Sequence, residues 1–130
     1  MNYKNIIITG ASRGIGKAAA KHIAKSCKTK ILAIARSEEK LNQLKEEIGS
    51  DAEILVYPIN LQNGNYSDLK TFIYKHFSKI DILLNNAGAL SVKPFLESTE
   101  EDFDLQFDIN VKSVFKLSQI CIPLMTQGSH

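Results

Sequence analysis

Residues 9–16 read TGASRGIG, and this glycine-rich stretch decides the fold. It follows the apolar, β-branched run YKNIIITG (residues 3–10) and precedes GIGKAAAKHIAKSCK (residues 14–28), whose alanines favour helix. The spacing G-x-x-x-G-x-G permits a sharp turn and the close approach of a ligand to the main chain. The helix that follows offers unpaired N–H groups and a partial positive charge. The stretch therefore predicts a strand–turn–helix unit that binds the diphosphate of a dinucleotide.

Apolar strands and amphipathic helices alternate along the chain. Strands are predicted at 3–10, 30–36, 52–61 and 81–88, and helices at 14–28, 37–49, 66–80 and 99–125. Continuous apolar strands between helices indicate a parallel sheet that is covered on both faces. With right-handed crossovers, this pattern predicts an α/β fold, a three-layer doubly wound parallel sheet of the Rossmann type, with strand order 3-2-1-4.

The ends of the helices carry recognisable signals. Ser37 is expected to cap the second helix without a full capping box, and Gly49 to end it. Thr99, with Asp102 three residues later, marks the start of the last helix. Pro123 is expected to end or kink that helix. In the first helix, the apolar face is predicted to contain Ile15, Ala18 or Ala19, Ile23 and Cys27.

Composition narrows the class of protein. The 130 residues are 44% hydrophobic and 23% charged, as in globular domains, and the net charge is +2 with both signs interspersed. This balance gives no argument for a nucleic-acid or membrane partner. The start of the chain lacks the features of a secretory signal, so we expect a cytoplasmic protein. Cys27 and Cys121 are expected to be reduced and largely buried, and neither they nor the three histidines have the spacing of metal ligands.

The second strand ends in the residues that would select a cofactor. In dinucleotide folds an acidic residue at this position holds the ribose 2′-hydroxyl, whereas an arginine accommodates a 2′-phosphate. Here the chain has Ala35 and Arg36, and Arg13 in the glycine turn can reach the same side. Charge-assisted hydrogen bonds from these groups predict that NADP is preferred over NAD by roughly tenfold or more. The alternative interpretation is that Arg13 and Arg36 are solvated surface residues that bind no phosphate.

The fourth strand ends in NNAG (residues 85–88). Ligands of open parallel sheets bind at the carboxyl ends of the strands. Ala87 and Gly88 are small enough for a ribose to lie against the backbone, and Asn85 and Asn86 can bond to buried main chain. This segment is therefore predicted to form the second half of the cofactor site.

TGASRGIG, NNAG and FDINVKSVF (residues 107–115) together, in this order and separation, resemble the N-terminal half of a short-chain dehydrogenase/reductase. The resemblance covers the whole chain. It implies a cofactor site in which the following residues contact NADP: Gly10, Ser12, Arg13, Gly14, Ile15 and Gly16 at the phosphates, Arg36 at the 2′-phosphate, Asn60 and Leu61 at the adenine, and Asn86, Ala87 and Gly88 at the nicotinamide ribose. Asn110 would be the catalytic Asn that kinks its helix and holds a water in a proton relay.

Two departures from the family pattern qualify this interpretation. Asn60 stands where relatives usually have Asp, although an amide can also accept a hydrogen bond from adenine. The family's Ser and Tyr-x-x-x-Lys lie beyond the Asn helix. Tyr66 and Lys70 have that spacing but precede NNAG, so they are predicted to be an ordinary helix turn. We therefore expect residues 1–130 to be the NADP-binding domain of a longer oxidoreductase, truncated after four βα units and inactive alone.

The expected reaction is hydride transfer between the nicotinamide and a small-molecule carbonyl or alcohol substrate. The alternative is a naturally truncated, non-catalytic module that binds nucleotide and dimerises. A sugar-nucleotide epimerase of the extended branch is disfavoured by the glycine spacing and Arg36. We also expect a homo-oligomer. The last helix carries an apolar stripe, namely Phe103, Phe107, Val111, Val114 and Leu117 or Ser118. The family resemblance implies that this helix forms a dimer interface, and the alternative is a role in the core.

Overall fold

The computed structural model describes residues 3–130 and shows a four-stranded parallel sheet with helices on both faces. The strands are β1 (Lys4–Thr9), β2 (Thr29–Ala35), β3 (Glu53–Pro58) and β4 (Ile82–Leu84). They lie in the order β3-β2-β1-β4, and all of these pairings are parallel. The predicted doubly wound sheet and its strand order are confirmed.

Within the described residues, five α-helices connect or follow the strands. They are α1 (Gly14–Ser26), α2 (Glu38–Ile48), α3 (Tyr66–His76), α4 (Glu100–Phe107) and α5 (Ser113–Cys121). The Ser37 side chain caps α2 by accepting a hydrogen bond from the Lys40 amide, and Gly49 ends the helix at φ +58°. Thr99 and Asp102 form a reciprocal capping box at the start of α4. These predicted helix ends are confirmed.

The alternation of side chains along the strands divides the core into two layers. Ile6 and Ile8 of β1 pack on the face covered by α1 and α2, whereas Ile7 packs on the face covered by α3 and α5. Both faces of the sheet are apolar because helices cover both, which is why the strands read as continuous hydrophobic runs.

The buried face of α1 differs from the prediction. Gly16, Ala20 and Ala24 are buried at intervals of four residues, whereas Ile15 is 79% exposed and Cys27 is exposed. The predicted face is therefore wrong for Ile15 and Cys27, whereas Ile23 is half-buried and packs against the core as predicted. Small residues face the sheet because they allow the helix to pack closely against it, so here size outweighs hydrophobicity.

The single helix predicted over residues 99–125 contains two departures from α geometry. A π-helical turn at Asp108–Lys112 joins α4 to α5, and a 3₁₀ turn at Ile122–Leu124 follows α5, next to Pro123. The predicted apolar stripe splits: Leu117 is fully buried, whereas Phe103, Phe107 and Val111 are at least half exposed. The core interpretation is therefore wrong for the first three residues of the stripe.

The last residues of the chain lie beside β4. Met125 forms an isolated parallel bridge with Ile80. The His130 amide donates to the Asp81 carbonyl at 2.9 Å, and the Leu83 amide donates to the His130 carbonyl at 2.8 Å. These backbone bonds occupy part of the edge of β4 that does not pair with β1.

Candidate functional site

A cavity of about 940 Å³ lies at the carboxyl edge of the sheet, where the four strands end. It is lined by segments from every strand end and from α4 with its π-helical turn: Gly10, Ser12–Ile15, Ala35–Ser37, Lys40, Ile59–Gln62, Asn86–Leu90, Leu105, Ile109 and Asn110. Every predicted site residue except Gly16 lines this cavity. The topology thus brings together segments that are as far apart in the sequence as Gly10 and Asn110.

The glycine turn provides an open cradle at the centre of the cavity. Gly10 and Gly14 have φ of +66° and +55°, a region that other residues rarely adopt. A Cβ on Gly14 would meet no atom within 4 Å, so the space above this residue is free. α1 begins at Gly14, and its first N–H groups are directed at the same turn. A diphosphate fits this combination of free space, N–H donors and helix dipole.

Gly16 does not line the cavity, in contrast to the other predicted site residues. A Cβ at this position would lie 2.5 Å from Asn86 Nδ2 and closer still to the Gly10 carbonyl oxygen. Gly16 therefore allows α1 to pack against the ends of β1 and β4. It supports the cavity from below and does not line it.

Asn86 and Thr9 join the ends of β1 and β4. Asn86 Nδ2 donates to the carbonyl oxygens of Thr9 and Gly10 at 3.1 and 3.3 Å. Thr9 Oγ1 accepts from the amides of Asn86 and Ala87 at 3.0 and 2.9 Å. These bonds replace the strand ladder, which explains why β4 ends at Leu84 and not at residue 88 as predicted. By contrast, Asn85 Oδ1 is buried without a partner among residues 3–130, contrary to the expectation that it would bond to main chain.

Asn110 ties the last helix to the NNAG segment. Its Oδ1 accepts from the Ala89 amide and its Nδ2 donates to the Ala89 carbonyl, both at 2.8 Å. The residue lies within the π-helical turn, and such turns are frequent at functional sites. Both polar atoms of the side chain are therefore engaged in holding the backbone that follows Gly88.

The ionisable groups of the cavity are all cations. Arg13, Arg36 and Lys40 line the end formed by β1 and β2, and no carboxylate of the described part of the chain lines the cavity. Within residues 3–130, none of the three forms an ion pair. This end of the cavity therefore has a positive potential suited to a phosphate group.

The segment that follows β3 contributes one polar and one apolar residue to the cavity. Asn60 and Leu61 line the cavity, and Asn60 Oδ1 already accepts a hydrogen bond from the Gln62 amide at 3.0 Å. Its Nδ2 group and the second lone pair of Oδ1 have no partner within residues 3–130 and are left for a ligand. The predicted acceptor role of this amide therefore competes with a local turn.

The segment between NNAG and α4 is held by Asp102. Asp102 accepts from Ser91 Oγ at 2.8 Å and from Lys93 Nζ at 2.7 Å, in addition to its capping bonds with Thr99. The Lys93 ammonium, the Thr99 amide and the Ser91 hydroxyl hold the pKa of the Asp102 carboxyl well below its usual range. Leu90 lies between Ala89, which Asn110 holds, and Ser91, which Asp102 holds. Its side chain is 79% exposed at the rim of the cavity.

Tyr66 and Lys70 lie outside the cavity, as their position before NNAG predicted. The Tyr66 hydroxyl donates to the Leu61 carbonyl at 2.7 Å. Burial and the Asp108 charge raise the pKa of Tyr66 to about 12, which opposes a general-base role near neutral pH. The Lys70 ammonium lies over the ring of Tyr74, at 5.4 Å from its centroid, and not over Tyr66.

Several lining residues were missed from the sequence. Lys40 is the most informative, because neither the glycine motif nor the end of the second strand includes it. Its position in the first turn of α2 was a usable signal, since side chains in a helix tilt toward the N-terminus and hence toward the strand ends. Thr9, which organises the NNAG segment, was likewise visible only as the residue before Gly10.

Comparison with known proteins assigns the family. The family model described as "short chain dehydrogenase" matches residues 4–130, so the chain belongs to the short-chain dehydrogenase family. Among curated relatives, the NADP-dependent 3-hydroxy acid dehydrogenase of Schizosaccharomyces pombe is 34% identical, with 93% of this chain and 48% of the relative covered. The NADPH-dependent pterin aldehyde reductase of Arabidopsis thaliana is 35% identical, with coverages of 94% and 51%.

Solved structures agree with this assignment. An alcohol dehydrogenase from Thermococcus sibiricus, complexed with 5-hydroxy-NADP, has a TM-score of 0.88 and 25% identity over 95% of this chain and 53% of its own. A short chain dehydrogenase from Shigella flexneri, complexed with NADP, has a TM-score of 0.85 and 30% identity over 93% and 53%.

The chain spans about half the length of the curated relatives that it matches. Within residues 3–130, no helix has the length and apolar character needed to cross a bilayer. The same range contains no group of three or more His, Cys, Asp or Glu side chains placed to hold a metal ion. The location of the protein in the cytoplasm stays a prediction.

Proposed function

We propose that this chain forms the NADP-binding domain, residues 1–130, of an oxidoreductase that transfers a hydride between the nicotinamide and a carbonyl or alcohol substrate. The observation that carries the proposal is the order of the chemical groups along the cavity. An open glycine turn lies at its centre, only cations line the end near β2, and Asn110 lies at the end near α4. NADP has a 2′-phosphate at one end and a nicotinamide at the other, so it matches this order of groups.

The residues of the cavity would divide the cofactor among them. The first N–H groups of α1, with Ser12 and Ile15, would hold the diphosphate, because they combine hydrogen-bond donors with the positive end of the helix. Arg13 and Arg36 would pair with the 2′-phosphate through charge-assisted hydrogen bonds. Asn60 and Leu61 would contact the adenine.

The segment Asn86–Gly88 would hold the nicotinamide ribose. Gly88 is exposed, and a Cβ there would meet only Asn110 Oδ1, at 3.4 Å, so a sugar can approach the main chain. Bound NADPH would supply the hydride. Asn110 would fix the position of the ribose segment by holding Ala89, and as the predicted catalytic Asn it would also contribute to a proton relay.

Proton transfer needs a group that this chain does not place at the cavity. None of the tyrosines Tyr3, Tyr57, Tyr66 and Tyr74 lines it, and the ionisable groups that do line it lie at the opposite end from Asn110. We therefore expect the 130-residue chain to bind NADPH but not to oxidise it. The hydride-transfer activity and the substrate are proposed for a longer protein. Testing them requires a protein that also contains the Ser and Tyr-x-x-x-Lys of the family.

The arginines provide the direct test. Arg36→Gln should weaken the binding of NADPH about tenfold and leave that of NADH nearly unchanged, because a charged hydrogen bond to the 2′-phosphate is lost. Lys28→Gln, which removes an exposed charge away from the cavity, is the matched control. Equal affinities of the native chain for NADPH and NADH would refute the assignment of NADP.

The rival proposal, a non-catalytic module that acts by dimerisation, is favoured by one observation. Phe103, Phe107, Val111 and Phe115 recur every four residues along α4 and α5, and each is at least half exposed. The rings of Phe103 and Phe107 stack with centroids 4.3 Å apart. An apolar stripe of this kind is typical of an interface, so we propose that the chain forms a homo-oligomer through it.

Phe107→Glu should shift the chain to monomer in light scattering, whereas Gln119→Glu, at an exposed position of α5, should not. A native chain that is monomeric at all concentrations would contradict the oligomer proposal. NADPH consumption with carbonyl substrates by the pure chain would exclude the non-catalytic rival and also overturn our expectation that the chain is inactive.

A further inference from the structure

Lys40 is a third cation at the end of the cavity that the two arginines define. Arg13 comes from the glycine turn, Arg36 from the end of β2 and Lys40 from the first turn of α2, so three separate segments each contribute one positive charge. Ser37, between Arg36 and Lys40 along the chain, lines the same region. Neither the glycine pattern nor the end of β2 identifies Lys40 as a ligand.

The local structure holds the backbone of Lys40 in place. Its amide donates to Ser37 Oγ at 3.3 Å, which fixes the first turn of α2 against the end of β2. A side chain at this helix position tilts toward the helix N-terminus, and that terminus lies at the cavity. The ammonium is therefore on a long stem that begins beside the proposed phosphate site.

The acidic residues nearby do not cancel this charge within the cavity. Glu38 and Glu39 occupy the first turn of α2, but both are exposed and neither lines the cavity. On α1, which packs beside α2, Lys17 and Lys21 are both engaged with Glu47 at 2.8 Å. By contrast, Lys40 forms no ion pair among the residues that the structure describes.

We propose that Lys40 binds the 2′-phosphate of the cofactor together with Arg13 and Arg36, and that it is a specificity-determining residue for NADP over NAD. The inference rests on the proposed NADP function and adds a residue to it. A phosphomonoester carries between one and two negative charges near neutral pH, with three acceptor oxygens. A lysine can reach an oxygen that two planar guanidinium groups leave free.

The experiment uses two probes that differ by the 2′-phosphate alone, adenosine 2′,5′-bisphosphate and AMP. Their affinities are measured by calorimetry for the native 130-residue chain and for Lys40→Gln, Lys40→Arg and Lys45→Gln. Lys45→Gln is the matched control, since Lys45 is an exposed lysine of the same helix that does not line the cavity. Thermal melts of each variant without ligand verify that it is folded.

Lys40→Gln should weaken the binding of the bisphosphate about tenfold while AMP binding changes by less than about twofold. Lys40→Arg should retain most of the affinity for the bisphosphate, because it keeps the charge. Lys45→Gln should change neither affinity by more than about twofold, since an exposed charge away from the site is screened by salt.

Equal losses in Lys40→Gln and Lys45→Gln would overturn the proposal, because the effect would then come from net charge. Full retention of bisphosphate affinity in Lys40→Gln would overturn it as well, while the native preference for the bisphosphate would leave the NADP function standing. A native chain that binds the two probes equally would overturn both the NADP function and the role of Lys40. The two failures are therefore distinguishable in one series.

Discussion

Replacing Gly16 by alanine tests whether the close packing of α1 on the strand ends positions the cofactor site. The added Cβ would lie 2.5 Å from Asn86 Nδ2 and 2.9 Å from the Gly10 carbonyl carbon. The Gly10 atoms in this contact belong to the main chain, which is held in a tight turn at φ +66° and cannot move aside easily. Helix α1 must therefore shift. Overpacking of this kind costs about 1–3 kcal/mol, and weakening the Asn86–Gly10 hydrogen bond costs about 1 kcal/mol more.

The gain in helix propensity opposes this loss. Alanine is better than glycine inside a helix by about 1 kcal/mol. The net expectation for Gly16→Ala is a destabilisation of about 2 kcal/mol, which lowers the Tm of a domain of this size by about 8 °C. Differential scanning calorimetry of the unliganded chain measures this change.

Gly14→Ala is the matched comparison. No atom lies within 4 Å of a Cβ at Gly14, so only its φ of +55° opposes the substitution, at about 1 kcal/mol. The clash should therefore make Gly16→Ala the more destabilising of the two. A Gly16→Ala chain that melts at or above the native temperature would refute the packing argument.

Three further substitutions test other contacts of the fold and site. Asn110→Ala should speed hydrogen exchange of the Ala89 amide about tenfold, because it removes the acceptor 2.8 Å away. Asp102→Asn should lower the urea midpoint above pH ~4, and the difference from the native chain should narrow as pH falls further, because the pKa of Asp102 is lowered in the folded state. Lys30→Met should lower the free energy of unfolding by about 1–2 kcal/mol in urea titrations, because Lys30 Nζ donates to the His76 carbonyl at 2.9 Å.

Each of these expectations has an outcome that contradicts it. Unchanged exchange at Ala89 in Asn110→Ala would mean that the side chain does not hold this segment in solution. A gap between Asp102→Asn and the native chain that widens below pH ~4 would have the wrong sign for a carboxyl whose folded pKa is depressed. Lys28→Met, at an exposed position directly before β2, is the control for Lys30, and an equal loss in both would contradict the specific contact.

The fold could be predicted because its signals are periodic. Strands buried on both faces read as apolar runs such as NIIIT, and the helices carry local caps such as Ser37 and Thr99 that depend on neighbouring residues alone. The topology then followed from the rule that parallel strands need helical crossovers. These signals depend on neighbouring residues or on general rules of sheet topology, so they can be recognised before the tertiary packing is known.

The errors concern features that depend on packing. Hydrophobicity favoured Ile15 and Cys27 for the buried face of α1, but the close contact of Gly16 with Gly10 selects the small residues instead. The π-helical turn around Asn110 agrees with the kink that the family resemblance implies, although no periodic pattern indicates it. The turn places this side chain against Ala89, a partner 21 positions earlier in the chain.

The candidate site was predictable where a motif specifies it. Gly10, Ser12–Ile15 and Asn86–Gly88 line the cavity as expected, because their spacing is set by the turn that each segment must form. Lys40 was missed because its relation to Arg13 is tertiary: α1 and α2 must both be in place before the two cations lie at the same cavity. The helix position of Lys40 indicates that its side chain lies near the strand ends, but the sequence does not indicate that it meets Arg13 there.

The measurement that tests the central claim most directly is a calorimetric titration of the native chain with NADPH and, in parallel, with NADH. The account predicts saturable binding of NADPH, at least about tenfold tighter than that of NADH, since Arg13 and Arg36 line the end of the cavity assigned to the 2′-phosphate. Binding of NADH as tight as that of NADPH, or of neither, by a chain that melts cooperatively would contradict it.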